Sequence, residues 1–88
     1  MSNAEFTIDE LRAVLRAAAG EEESANLDDD IMDVPFTDLG YDSLALLEAG
    51  SRIERERGIQ LGDSTITEAE TPRALIEAVN QRLAQLTH

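Results

Sequence analysis

The chain has 88 residues, 42% of them hydrophobic and 3% aromatic, and its 19 acidic and seven basic side chains give a formal net charge of −12 at pH 7. This length predicts one domain over residues 1–88, and a core so poor in aromatic rings favours packed aliphatic helices. The charge excludes nucleic acid as a partner, and the absence of cysteine excludes disulfides and thiolate metal sites.

The first predicted helix opens at Thr7, where the sequence T-I-D-E forms a capping box with Glu10. Gly20 is expected to end it, and residues 1–5 before it to be frayed. Its apolar face consists of Ile8, Leu11, Leu15 and Ala18. The segment MSNAEFTIDE has no features of a signal peptide, and no stretch has the length of a membrane span. We therefore expect a cytoplasmic protein.

A long acidic connection, residues 21–41, follows without helical periodicity. It contains two runs of negative charge, at residues 21–23 and 28–30. Its apolar residues are Leu27, Ile31, Val34, Phe36 and Leu39. Because most of these lie in the second half, we expect that half to pack against the core as an ordered loop.

The second helix is predicted from Ser43 to Arg57, ending at Gly58. Its core face is formed by residues at helical spacing, namely Leu46, Ala49, Gly50 and Ile53. Gly50 costs about 1 kcal/mol relative to alanine at such a helical position.

Two leucines of this helix, Leu44 and Leu47, lie off the core face and close to Glu48 and Glu54. An apolar spot bordered by negative charge suits docking onto a basic partner. The alternatives are that exposed leucines are common and carry no meaning, or that the core face is rotated and both leucines belong to it.

The last third of the chain predicts a short helix and a long one. Ile59 and Leu61 anchor the chain to the core, and a short helix or turn is expected around residues 63–69. The final helix begins at Thr71, with Pro72 in its first turn, and residues 86–88 are expected to be frayed. Its apolar stripe consists of Leu75, Ile76, Val79, Leu83 and Leu86. The predicted fold is all-α: a small bundle of three main helices and one short helix, with a long loop between the first two.

No catalytic apparatus or metal cage is indicated. The single histidine is His88, and no G-x-S-x-G surrounds Ser43. An EF-hand loop starting at Asp28 or Asp38 would lack both the required glycine and the bidentate glutamate. We therefore predict no catalytic residues and no metal ligands.

Ser43 is the residue that needs an explanation. It follows Asp42 in the run DLGYDSL, residues 38–44, where a loop becomes a helix. Both side chains are good N-caps, so the simplest interpretation is that Ser43 only caps the helix.

The run DLGYDSLALLEAGSRIERERGIQL, residues 38–61, resembles the acyl carrier protein family, and its G-Y-D-S-L-A-L-L-E portion is most similar to the discrete carriers of aromatic polyketide synthases. The likeness in layout extends over nearly the whole chain and implies an acyl-carrier-like bundle. One departure is Arg57, at a position where related carriers often have a large apolar residue.

The resemblance implies that Ser43 carries a 4′-phosphopantetheine arm, with Gly40, Asp42 and Leu44 shaping the attachment site. A separate phosphopantetheinyl transferase would attach the arm from coenzyme A with magnesium, and the arm's thiol would hold acyl groups as thioesters.

The other implied partners are a ketosynthase with its chain-length factor, an acyltransferase and tailoring enzymes, bound through Leu44, Leu47, Glu48 and Glu54. We expect a monomer that binds no membrane. The alternatives are a fatty-acid or peptidyl carrier, or an unmodified acidic interaction module in which Asp-Ser-Leu is only a cap.

Overall fold

The computed structural model describes residues 5–19 and 30–86. These ranges contain four helices and no strand: α1 (Ile8–Ala19), α2 (Ser43–Arg57), α3 (Asp63–Glu68) and α4 (Pro72–Leu86). Helix α1 packs against α2 and α4, and α2 packs against α3. The predicted all-α fold is confirmed. In the described ranges no helix combines the length and the apolar character needed to cross a bilayer.

Some sequence predictions fall outside the described residues. They are the end of α1 at Gly20, the acidic run at residues 21–23, most of the run at 28–30, the anchoring of Leu27, and fraying at residues 1–4 and 87–88.

The predicted start of α1 and the predicted end of α2 are confirmed by their hydrogen bonds. In the capping box, the Thr7 and Glu10 backbone N–H groups donate to each other's side chains at 3.3 Å. At the other boundary, Gly58 adopts φ 67° and its N–H donates to the Glu54 carbonyl. A positive φ favours glycine, so this residue ends α2 without strain.

The described part of the long loop, residues 30–42, is ordered by its contacts with the start of α4. Phe36 is buried, and its N–H donates to the Glu70 carbonyl at 2.9 Å. Met32 accepts the Arg73 N–H at 2.9 Å, and the Arg73 side chain donates twice to the Asp33 carboxylate. This last hydrogen bond, together with the Arg73 charge, lowers the pKa of Asp33.

Arg57 occupies its unusual position through contacts with the N-terminal segment. Its guanidinium lies 5.7 Å from the centre of the Phe6 ring, and its Nη2 donates to both Glu10 carboxylate oxygens at 2.7 and 2.8 Å. Asn80 of α4 binds the Phe6 N–H and carbonyl at 2.7 and 3.1 Å. The Arg57 guanidinium therefore packs over the buried Phe6 ring through a cation–π contact. A large apolar side chain at this position would cover the same ring by hydrophobic packing.

Gly50 allows α2 and α3 to approach each other closely. A Cβ placed on Gly50 would lie 2.7 Å from Cγ1 and 3.0 Å from Cγ2 of Ile66, a fully buried residue of α3. The missing side chain is therefore a packing requirement, and the Ile66 side chain occupies the space it leaves.

Candidate functional site

The N-cap of α2 is Asp42 and not Ser43. Asp42 has an extended backbone, and its Oδ1 accepts the Ala45 N–H at 2.9 Å. Ser43 is the first helical residue and is exposed. Its hydroxyl forms no hydrogen bond to the part of the chain that the structure describes. Capping therefore does not explain Ser43, whose hydroxyl is exposed.

The conformation of Gly40 and the hydrogen bonds of Tyr41 hold the turn before Asp42 in place. Gly40 adopts φ 89°, a conformation that favours glycine, and lets the chain reverse direction. Tyr41 is buried, and its N–H donates to the Phe36 carbonyl at 2.9 Å. Its hydroxyl donates to the Leu15 carbonyl of α1 at 3.0 Å, so α1 holds the residue that precedes the Asp-Ser pair.

The burial of Tyr41 was not predicted from the sequence. Its ring meets the Phe36 ring edge-on at a centroid distance of 6.5 Å. The available signal was the position of the chain's one tyrosine, between Gly40 and Asp42 in a polar run. An aromatic residue there, with no helical or strand periodicity around it, can serve only as a tertiary anchor or as an exposed contact.

A pocket of about 290 Å³ lies beside Ser43. Its walls come from the turn at residues 35–37, the start of α2 and the end of α3 with the following residues. Phe36 and Leu46 give it an apolar side, while Thr67 and Glu70 give it a polar side.

The start of α2 also suits an anion. The Ser43 and Leu44 backbone N–H groups have no acceptor among the described residues, and they precede a helix of 15 residues. Free N–H groups and the helix dipole stabilise negative charge at that end. A phosphodiester on the Ser43 oxygen would lie next to them. The described residues contain no group of three or more histidine, cysteine, aspartate and glutamate side chains that could hold a metal ion.

Three of the four predicted partner-binding residues lie together. Leu44, Leu47 and Glu48 line one shallow depression with Ser51. Leu44 is 75% exposed, the highest exposure of any large hydrophobic residue in residues 5–18 and 30–85. Leu47 is only half-buried against the core, which places it at the edge of the core face.

Glu54, the fourth predicted partner-binding residue, lies apart from this depression. Its Oε2 accepts the backbone N–H groups of Leu61 and Gly62 at 2.7 and 3.2 Å. The carboxylate thus holds the connection between α2 and α3. Its role in partner binding stays a prediction.

Comparisons with known proteins agree with this geometry. Residues 9–79 match the family described as "Phosphopantetheine attachment site". The chain is 57% identical over 84 residues to the monensin polyketide synthase acyl carrier protein of Streptomyces virginiae, covering 96% of this chain and 94% of that one. It is 51% identical over 82 residues to the granaticin polyketide synthase acyl carrier protein of Streptomyces violaceoruber, covering 93% and 96%.

The fold is similar to that of the actinorhodin apo acyl carrier protein from S. coelicolor. The TM-score is 0.86 at 39% identity, with 93% of this chain and 95% of that chain covered. The match with residues 9–79 includes the turn, Ser43 and the pocket beside it.

Proposed function

The chain belongs to the acyl carrier proteins, the carriers with a phosphopantetheine attachment site, and we propose that Ser43 is the residue to which the 4′-phosphopantetheine arm is attached. The protein is a carrier and not an enzyme. Its arm supplies the thiol on which acyl groups are held as thioesters. The observation that supports Ser43 is its exposed hydroxyl, free of hydrogen bonds to the described residues, directly after the Asp42 cap.

The chain's own residues present the hydroxyl and leave the chemistry to a transferase. In loading, a bond forms between the Ser43 oxygen and the phosphorus of the arm, the pyrophosphate bond of coenzyme A breaks, and the nucleotide leaves. The transferase takes the hydroxyl proton and supplies the magnesium. Asp42 fixes the helix start, Gly40 shapes the turn, and Leu44 offers the transferase an apolar contact.

The acyl groups carried are proposed to be intermediates of a polyketide, as the names of the relatives state for those proteins. The partners are then the transferase, a ketosynthase with its chain-length factor, an acyltransferase and tailoring enzymes. Leu44, Leu47 and Glu48 are the proposed contact for them, an exposed apolar side chain next to a half-buried one and a carboxylate. A monomer working in the cytoplasm is part of the same proposal.

Intact mass after incubation with coenzyme A, magnesium and a broad-specificity transferase tests the attachment site. The unsubstituted protein should gain one phosphopantetheine group. Ser43→Ala should gain none, while Ser51→Ala, a matched change on the same helix, should gain one. Circular dichroism should show all three folded. Loading of Ser43→Ala would refute the assignment, and no loading of the unsubstituted protein would favour an unmodified interaction module.

A further inference from the structure

Two of the seven arginines form no ion pair within the described residues. Four form salt bridges: Arg12 with Asp9, Arg52 with Glu48, Arg57 with Glu10, and Arg73 with Asp33. Arg55 and Arg82 form none within the described residues, although the chain has 19 acidic side chains. Arg82 donates at 3.2 Å to the Gln85 side chain, which is uncharged.

These two arginines lie in one place. Arg55 and Arg82, both exposed, line a shallow depression between the end of α2 and α4. Glu54 also borders it, but that carboxylate already accepts two backbone N–H groups of the α2–α3 connection. Two guanidinium groups thus outnumber one carboxylate here, and the depression has a net positive charge in a protein with a net charge of −12. Such a spot attracts carboxylates.

The positive spot continues the face of α2 that carries the proposed partner contact. At 100° per residue, Leu44, Glu48 and Arg55 fall within an arc of about 40° on the helix surface. Leu44 and Arg55 are about 16 Å apart along the helix axis at 1.5 Å per residue. A standard protein interface covers about 800 Å² per partner, roughly 30 Å across, so one partner can contact both ends of this face.

We infer that α2 and the adjoining part of α4 present one docking face with two charges. The negative charge is Glu48, whose exposed pair with Arg52 at 3.5 Å contributes little, and the positive charges are Arg55 of α2 and Arg82 of α4. Its partner carries an apolar socket for Leu44, a basic group opposite Glu48 and an acidic group opposite the two arginines. This inference rests on the proposed function and specifies its partner.

The order of charges has a consequence for specificity. A face with both signs fixes the direction in which α2 lies on the partner, and so it directs the Ser43 end towards one side of the complex. It also disfavours partners whose docking surface is uniformly basic, because the two arginines would then face like charges.

The test measures binding of the loaded protein to the ketosynthase and chain-length factor of an aromatic polyketide synthase. Calorimetric affinities at 0.1 M and 0.5 M sodium chloride are compared for the unsubstituted protein and the double variant Arg55→Gln/Arg82→Gln. The control is Ala13→Glu/Ala17→Glu, which changes net charge equally at two exposed positions of α1. Arg55→Lys/Arg82→Lys keeps the charge and should keep the binding.

The glutamine variant should bind about three- to ten-fold more weakly at 0.1 M salt, as expected for two exposed ion pairs, and the difference should shrink at 0.5 M. The α1 control should stay within about two-fold of the unsubstituted protein. Equal affinities of the glutamine variant and the control, or no binding of the unsubstituted loaded protein, would overturn the inference.

Two further measurements separate the outcomes. Intact mass before calorimetry shows whether Ser43 is loaded: loss of loading contradicts the proposed function, whereas normal loading with unchanged affinity contradicts only the inference. Sedimentation of the protein alone tests a second copy as the occupant. A concentration-dependent dimer that the glutamine variant abolishes would overturn the assignment to a synthase partner.

Discussion

The variant Gly50→Ala tests the close approach of α2 and α3. On an open helix surface this change would stabilise the protein by about 1 kcal/mol, because alanine has the higher helix propensity. Here the new Cβ would lie 2.7 Å from Cγ1 of Ile66, which is buried and branched at Cβ. Overpacking of this kind costs about 1–3 kcal/mol. We therefore expect a net loss of about 1 kcal/mol, or roughly 4–8 °C in the midpoint of thermal unfolding.

Thermal and urea unfolding, followed by circular dichroism, measure this loss. A double-mutant cycle with Ile66→Val identifies its cause, since that change removes the Ile66 atom nearest to the new Cβ. The two substitutions together should cost less than the sum of the separate losses. Ser51→Ala, at the next position of the same helix, serves as the control for propensity. A Gly50→Ala variant as stable as the unsubstituted protein, or more stable, would refute the packing argument.

Three other predictions follow from the surface and its charges. Leu44→Ala should slow transfer by partner enzymes and leave the melting temperature nearly unchanged. Leu47→Ala should slow transfer and also lower the stability, but by less than the 2–5 kcal/mol typical of a fully buried leucine. Equal stability losses for the two variants would mean that the helix face is misassigned. Because the pKa of Asp33 is lowered, its pairing with Arg73 stabilises the fold above about pH 4, and this stabilisation is lost as the pH falls further. The unsubstituted protein should therefore melt at a higher temperature than Asp33→Asn at pH 7, and the difference should shrink at pH 3. A difference that stays constant between the two pH values would contradict this. Added sodium chloride should raise the melting temperature at neutral pH, since the net charge of −12 is self-repelling, and a flat or falling response would refute this.

Local signals in the sequence predicted the helices well. The capping box at Thr7 and the glycine at residue 58 act within one helical turn, so the order of residues is enough to locate them. The core face of α2 also followed from periodicity, and all four of its predicted members are buried.

Contacts between distant segments could not be predicted in the same way. The Tyr41 hydroxyl reaches a carbonyl 26 positions earlier, and Arg57 binds a carboxylate 47 positions earlier. Periodicity gives no register between such segments. For the same reason, the sequence showed Gly50 only as a weak helix former, because the Ile66 side chain that requires it belongs to another helix.

The sequence motif of the candidate site could be predicted, but the hydrogen bonds of its residues could not. Asp42 and Ser43 are comparable N-caps by residue type, and only the hydrogen bond from the Ala45 N–H to Asp42 distinguishes them. The position of Glu54 after Glu48 along α2 predicts that it belongs to the partner contact. Its carboxylate also accepts hydrogen bonds from backbone groups that the chain brings back after the helix ends, and these could not be predicted from position along α2.

Peptide mapping of the loaded, acylated protein shows directly which residue carries the arm. Trypsin should release residues 17–52 as one peptide, which contains Ser24, Ser43 and Ser51. Fragmentation by mass spectrometry then locates the acyl-phosphopantetheine group. Attachment at Ser43 predicts that this group is present on every fragment containing Ser43 and on none that lacks it. Its location on Ser24 or Ser51, or on no residue of this peptide, would refute attachment at Ser43.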